Sequence, residues 1–192
     1  VPGPSTPAAT TAVLLPVKAF SAAKRRLATV LDPSEREALA RSMATTVVAA
    51  AAPLSVWVVC DDDQVRAWAT SVGAAVLWRP GHGLNGAVAS GVAELAANFD
   101  HVIVAHADLP HATELAWVAD FDGVTLVPDR HGDGTNVACV PAAAGFEFAY
   151  GPGSFGRHRR EAERLGLPLR VVPEDRLGWD VDVPADLAVP QW

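Results

Sequence analysis

Lysine is almost missing from this 192-residue chain: of its 15 basic side chains only Lys18 and Lys24 are lysines, and arginine serves everywhere else. Cysteine is scarce too. Cys60 and Cys139 stand in apolar runs without Cys-x-x-Cys or Cys/His spacing, which excludes a zinc site or a disulfide framework and leaves buried free thiols. An excess of positive charge is also lacking. The net charge of -7 excludes broad electrostatic binding to nucleic acid or to an anionic membrane, so any anionic ligand must be caught locally. No apolar run approaches the roughly 20 residues that span a bilayer, and no charged segment followed by a long apolar one opens the sequence, so a cytoplasmic protein is expected. There is no G-x-x-x-x-G-K-[ST] and no Ser-His-Asp or Cys-His arrangement, which argues against a P-loop kinase and against acyl transfer.

What is present is an alternation of short apolar runs with helical patterns. Residues 1–11 are rich in Pro, Ser, Thr and Ala and read as a loose tail; 12–192 read as a single domain. Ala12–Val17, Val56–Cys60, Ala75–Trp78, His101–Ala107, Gly123–Val127, Val137–Val140 and Leu169–Val172 read as strands. Between them, Asp32-Pro33 opens a long helix with apolar residues at Leu39, Met43, Val47 and Ala50, and Asp61-Asp62-Asp63 caps a short one. Further helices are expected from Gly83 to Phe99, around Thr113–Val118, and from Ser154 to Arg164, with Gly166 as the stop. Strands alternating with helices predict an α/β, three-layer fold with a mostly parallel central sheet.

The chemistry-bearing residues fall at the ends of these runs. Two lysines directly after the first apolar run suit a phosphate chain, because lysine offers a mobile point charge where arginine offers a rigid fork. Asp108 follows an apolar strand and precedes Pro110, which points it into the crevice where α/β sheets bind ligands. Gly81-His-Gly83-Leu-Asn85-Gly86 matches G-x-G-x-x-G, but it follows a third strand rather than the first, so a helix start approachable by a nucleotide is favoured over a dinucleotide fingerprint. The polar stretch Pro128–Asn136 reads as a ligand-facing loop, and Tyr150–Phe155 as a helix start able to bind phosphate or carboxylate. Asp180 and Asp182, two apart in extended chain, turn to one side and can share a divalent cation. Oxygen-only ligands select Mg²⁺ over zinc, and Mg²⁺ with two ammonium groups and amide-lined helix starts suits nucleotidyl transfer.

At these residues the sequence resembles the guanylyltransferases of coenzyme F-420 biosynthesis, which are similar in fold, GT-A-like and Rossmann-like, to the molybdenum-cofactor guanylyltransferases. The pieces are Pro16-Val-Lys18 with Lys24-Arg-Arg26-Leu27, Gly83-Leu-Asn85-Gly, Ala107-Asp108-Leu-Pro110, Asp133-Gly-Thr135-Asn136, Tyr150-Gly151-Pro-Gly153-Ser154-Phe155 with His158, and Asp180-Val-Asp182-Val-Pro184. The resemblance implies transfer of GMP from GTP to phosphoenolpyruvate or 2-phospho-L-lactate with release of pyrophosphate, and hand-over of the product to a downstream transferase. It implies that Asp108, Asp180 and Asp182 hold Mg²⁺ and that Lys18, Lys24 and Arg26 neutralise the triphosphate. By the same resemblance, Asn85 contacts the nucleoside, and Thr135, Gly151 and Ser154 bind the acceptor's carboxylate and phosphate. The first loop lacks the glycines of the molybdenum-cofactor branch. A sugar-nucleotide glycosyltransferase, sharing the acid-x-acid motif, and a catalytically silent nucleotide-binding module are the other readings; the module would be marked by loss of an acid or a lysine, and none is missing.

Overall fold

The structure, a computed structural model, describes residues 9–188. Of the tail expected over 1–11, residues 1–8 lie outside the described ones. Thr10 is tied to Asp100, its backbone N–H donating to Oδ2 at 2.8 Å, and Thr11 already belongs to the first strand.

That strand, β1 (Thr11–Pro16), is the hydrophobic axis of the molecule: its four central residues, Ala12 to Leu15, are all fully buried. It lies between β2 (Ser55–Cys60) and β4 (His101–Ala105), parallel to both, and β3 (Ala75–Trp78) continues the sheet beyond β2. Strand alternation divides its side chains between two cores. Val13 and Leu15 pack with α1 (Pro33–Ala50) and α2 (Asp63–Ser71); Ala12 and Leu14 pack with α3 (Gly83–Leu95) and α4 (Ser154–Arg164). The three layers expected are therefore present.

The sheet has seven strands in the order β3-β2-β1-β4-β6-β5-β7, with β5 at Val124–Pro128, β6 at Thr135–Pro141 and β7 at Leu169–Val171. Four of the neighbouring pairs are parallel, and β6 runs antiparallel to both β4 and β5. Two consequences place the site. The chain leaves β1 toward β2 while β4 lies on the other side, so a crevice opens beyond the carboxyl ends of β1 and β4. Because β6 is reversed, its first residues, Thr135 and Asn136, sit at that same edge, and His106 N–H donates to Asn136 C=O at 2.9 Å.

Local chemistry fixes the helix starts. Asp32 closes a capping box with Glu35 at α1, and Asp62 accepts from Val65 N–H at 3.0 Å, so the aspartate run caps α2. The helix expected around Thr113–Val118 is only a 3-10 turn at Ala116–Ala119, because the apolar Leu115 and Val118 are drawn into the sheet-facing core before a full α-turn forms. Cys60 and Cys139 are buried free thiols, and burial pushes the Cys139 pKa up to about 12.

Helix α3 lies unusually close to β1. A Cβ on Gly91 would sit 2.8 Å from Leu14 Cδ2 and 3.3 Å from Leu14 Cδ1. Leu14 is fully buried, and its methyl groups would have to shift within the core. Gly91→Val is therefore expected to destabilise the chain by about 2 kcal/mol, lowering Tm by roughly 4–8 °C; an unchanged melting curve would show that the two elements can separate freely.

Candidate nucleotidyl-transfer site

A cleft of about 610 Å³ opens at the crevice between β1 and β4, and nine of the ten site residues predicted from the sequence line it, all but Asn85. The loop after β1 enters it through two 3-10 turns, Phe20–Ala22 and Arg25–Leu27. Lys24 lies between them in the left-handed conformation, φ +52°, the one described non-glycine residue with positive φ. L-residues adopt that geometry at a cost of roughly 1–2 kcal/mol. Here it turns Lys24 inward, leaving its side chain 9% exposed, while Lys18 stands exposed at the cleft edge without a side-chain partner.

Lys24 Nζ donates to Asp108 Oδ2 at 2.7 Å and to Asp182 Oδ1 at 3.2 Å. Burial opposes its charge, but the two carboxylates outweigh that and hold its pKa above the ordinary lysine value. Asp108 shows the converse: burial alone would raise it, and the Lys24 ammonium instead holds it below the usual carboxylate range. Asp180 is raised, first by burial and then by the Asp108 charge. Arg26, 73% exposed, reaches Asp182 only at 3.5 Å from the rim, a contact of little energetic weight.

Carboxylate oxygens of Asp108, Asp180 and Asp182 lie within 4.8 Å of one another, close enough to hold one metal ion. Asp108 Oδ1 is buried with no hydrogen-bond partner among the described residues, as a ligand atom aimed at a cation would be. The donor set is all oxygen, which fits a hard divalent ion.

The segment carrying Asp180 and Asp182 is held by Asp186, which has no part in the sequence reading, and by Arg130 and Asn136 of the stretch read as a ligand-facing loop. Asp186, 6% exposed, accepts from the backbone N–H groups of Asp182 and Val183 at 2.7 and 2.8 Å and pairs with Arg130. Arg130 also donates to Asp180 C=O at 2.8 Å and lies 4.3 Å over the Trp179 ring. Asn136 Nδ2 donates to Leu177 C=O at 2.9 Å and to Asp180 Oδ1 at 3.4 Å. The spacing of Asp182 and Asp186 was a readable sign of a capped turn; Arg130 stood in the polar stretch read as ligand-facing, but nothing local tied it to Asp180, 50 residues later.

The polar stretch after β5 reaches the cleft as the tip of a hairpin. Asp129 accepts from three amides of its own loop, and Asp133 Oδ2 accepts from Gly153 N–H at 2.9 Å, which docks this loop on the start of α4. Ser154 is the first residue of that helix and Gly153 its cap, at φ +72°. Ser154 Oγ accepts from Thr135 N–H at 3.1 Å.

Asn85 departs from expectation. It lies outside the residues that line the cleft: its Oδ1 accepts from Tyr150 N–H at 2.7 Å and its Nδ2 donates to Tyr150 C=O at 3.4 Å, which holds the Tyr150–Gly151 turn against α3. Leu84 lines the cleft instead. Gly81 and Gly83, at φ +76° and +61°, shape the entry to α3 after an edge strand, which removes the dinucleotide fingerprint as a reading.

The family model for guanylyl transferases of the CofC-like kind matches residues 11–189. The chain belongs to this family. The phosphoenolpyruvate guanylyltransferase of Sphaerobacter thermophilus is 39% identical over 188 residues, covering 93% of this chain and 91% of that one. The 2-phospho-L-lactate guanylyltransferase of Methanothermobacter thermautotrophicus is 34% identical, over 92% and 82%. Among solved structures, a nucleotidyl transferase from Methanothermobacter superposes with TM-score 0.65 at 16% identity, over 94% of each chain. Glucosyl-3-phosphoglycerate synthase of Mycobacterium tuberculosis, in complex with Mn²⁺ and uridine-diphosphate-glucose, does so with TM-score 0.59 at 16% identity, over 86% of this chain and 69% of that one. As a CofC-like guanylyl transferase the chain is a nucleotidyltransferase on a GT-A-like sheet, and the fold is shared with sugar-nucleotide enzymes. Among the described residues no helix is long and apolar enough to cross a membrane.

Proposed function

We propose that this chain transfers GMP from GTP to phosphoenolpyruvate, with 2-phospho-L-lactate as the alternative acceptor, in the cytoplasmic synthesis of coenzyme F-420. The observation that carries the reading is the convergence of Lys18, Lys24 and three carboxylates on one cleft at the sheet's switch point. The names of the relatives supply the class of acceptor, and the one at 39% identity favours phosphoenolpyruvate.

In this reading Asp108, Asp180 and Asp182 hold Mg²⁺, which when bound withdraws charge from the triphosphate. Lys18 binds the outer phosphates from the cleft edge. Lys24 neutralises the triphosphate while orienting Asp108 and Asp182, and Arg26 adds charge at the rim. Thr135, Gly151 and Ser154 hold the carboxylate and phosphate of the three-carbon acid. A phosphate oxygen of the acid attacks the α-phosphorus in line; a new P–O bond forms as the bond to the bridging oxygen breaks, and that oxygen departs with pyrophosphate. The chain contributes positioning and charge, and no protein nucleophile is required. The product, a reactive diphosphate in which a new phosphoanhydride joins GMP to the phosphorylated acid, is handed to a downstream transferase.

Purified protein given GTP, Mg²⁺ and each acceptor in parallel is expected to release pyrophosphate, faster with phosphoenolpyruvate, and to stop on addition of a chelator. A coupled transferase that consumes the product sustains turnover, and absence of pyrophosphate with both acceptors in its presence would refute the function.

A further inference from the structure

Helix α4 carries a histidine to which the proposed reaction gives no part. His158 is fully buried, walled in by Phe146, Phe148 and Tyr150 with ring centres 5.8, 6.0 and 4.9 Å away. Both of its ring nitrogens are engaged. Ala149 N–H donates to Nε2 at 2.9 Å, and Nδ1 lies 3.0 Å from Thr135 Oγ1.

A backbone amide can only donate, so Nε2 is the lone-pair nitrogen and the ring proton sits on Nδ1. Nδ1–H therefore donates to the Thr135 hydroxyl oxygen; the opposite direction would leave the imidazole with no proton at all. Burial, and after it the Arg157 charge, lower the His158 pKa to about 4, so the neutral ring persists at neutral pH. A hydroxyl that accepts from His158 cannot turn its own proton toward that ring. Its proton goes to another acceptor. Ser154 is in the same position, because its Oγ accepts from Thr135 N–H and its proton must point elsewhere. Both residues, 1% and 2% exposed, lie in the wall of the cleft.

We propose that His158 is a positioning residue that sets the polarity of the acceptor subsite. By fixing the Thr135 hydroxyl as a donor, next to a Ser154 hydroxyl that is also a donor, it makes this wall of the cleft suited to an ionised carboxylate or phosphate oxygen and unsuited to a group that must itself donate. The inference rests on the acceptor reading of the proposed function.

Steady-state kinetics on the full chain test it. His158→Leu, which keeps bulk but loses both nitrogens, is expected to raise KM for phosphoenolpyruvate about tenfold while KM for GTP stays within about twofold. His158→Asn, whose amide can donate from the place of Nδ1, is expected to recover most of that loss. In a Thr135→Val background His158→Leu should add nothing further, since it acts through Thr135. Equal changes in both KM values, no change in either, or additive losses would overturn the inference. A readout that needs neither a variant nor turnover is the ¹⁵N spectrum of the His158 imidazole in the intact protein. A protonated Nδ1 and a bare Nε2 are expected from about pH 6 to pH 8, and protonated Nε2 would overturn the inference even if the wild-type enzyme proved inactive with both acceptors, the result that would count against the proposed function instead.

Discussion

Asp108→Asn is expected to lower kcat by about a thousandfold or more while moving Tm by no more than about 3 °C. Asparagine keeps the shape of the side chain at the end of β4, but it removes the charge and turns half of the ligating face into an amide that repels cations. The small change in Tm follows from two opposed effects. The variant loses the charge that pairs with Lys24 at 2.7 Å, while Lys24 retains Asp182, and it frees Asp180 from the neighbouring charge that raises its pKa. The pH signs agree with this offset. Asp108, with a lowered folded pKa, stabilises the fold above the ordinary carboxylate pKa, and that contribution is lost as pH falls through its folded value. Asp180, with a raised one, works against the fold over the same neutral range. Pyrophosphate release and a thermal melt on the same preparation decide the matter: a Tm drop of about 8 °C or more would make Asp108 a structural residue.

The legibility of this chain follows from the range of the interactions involved. β1 and β4 were readable because both are continuous apolar runs buried on both faces, and Asp108 because a strand that ends in Asp-Leu-Pro leaves its acid at the sheet edge. Asp180 and Asp182 were readable from their spacing, and the lysine loop from the scarcity of lysine. Each of these signals is local. The antiparallel insertion of β6 between β4 and β5 is not, and it alone carries Thr135 and Asn136 to the crevice. The same limit explains Asn85: its place in a glycine-rich helix start suggested a ligand, whereas its bonds go to Tyr150, 65 residues later. His158 stood in the family pattern with no stated role, because its meaning depends on a strand hydroxyl 23 residues earlier. A one-dimensional pattern names the residues at the ends of elements, and the sheet order decides which of them meet.

The loop after β1 yields the second large effect. Lys24→Ala is expected to lower kcat/KM by about a thousandfold, and in metal-free buffer to lower Tm by roughly 5–10 °C. Lys24 is the buried cation that joins Asp108 to Asp182 in a group of three carboxylates whose oxygens lie within 4.8 Å of one another, and among the described residues no other basic side chain forms a salt bridge with Asp108. Arg26 is at the rim, and Arg130, engaged by Asp186 and Trp179, reaches only Asp180, its Nη1 3.6 Å from Oδ1. Without Lys24 the carboxylates repel one another, and a divalent ion is the natural replacement. Added Mg²⁺ should therefore raise the Tm of the variant more than that of the wild-type protein, recovering stability but not activity, since the ammonium proposed to neutralise the triphosphate is still missing. Lys18→Ala supplies the contrast. Lys18 is exposed and has no side-chain partner, so its removal should leave Tm within about 1 °C and lower kcat/KM for GTP by about a hundredfold. Equal responses of the two variants to Mg²⁺ would refute the division of the two lysines into one that organises the acids and one that only meets the nucleotide.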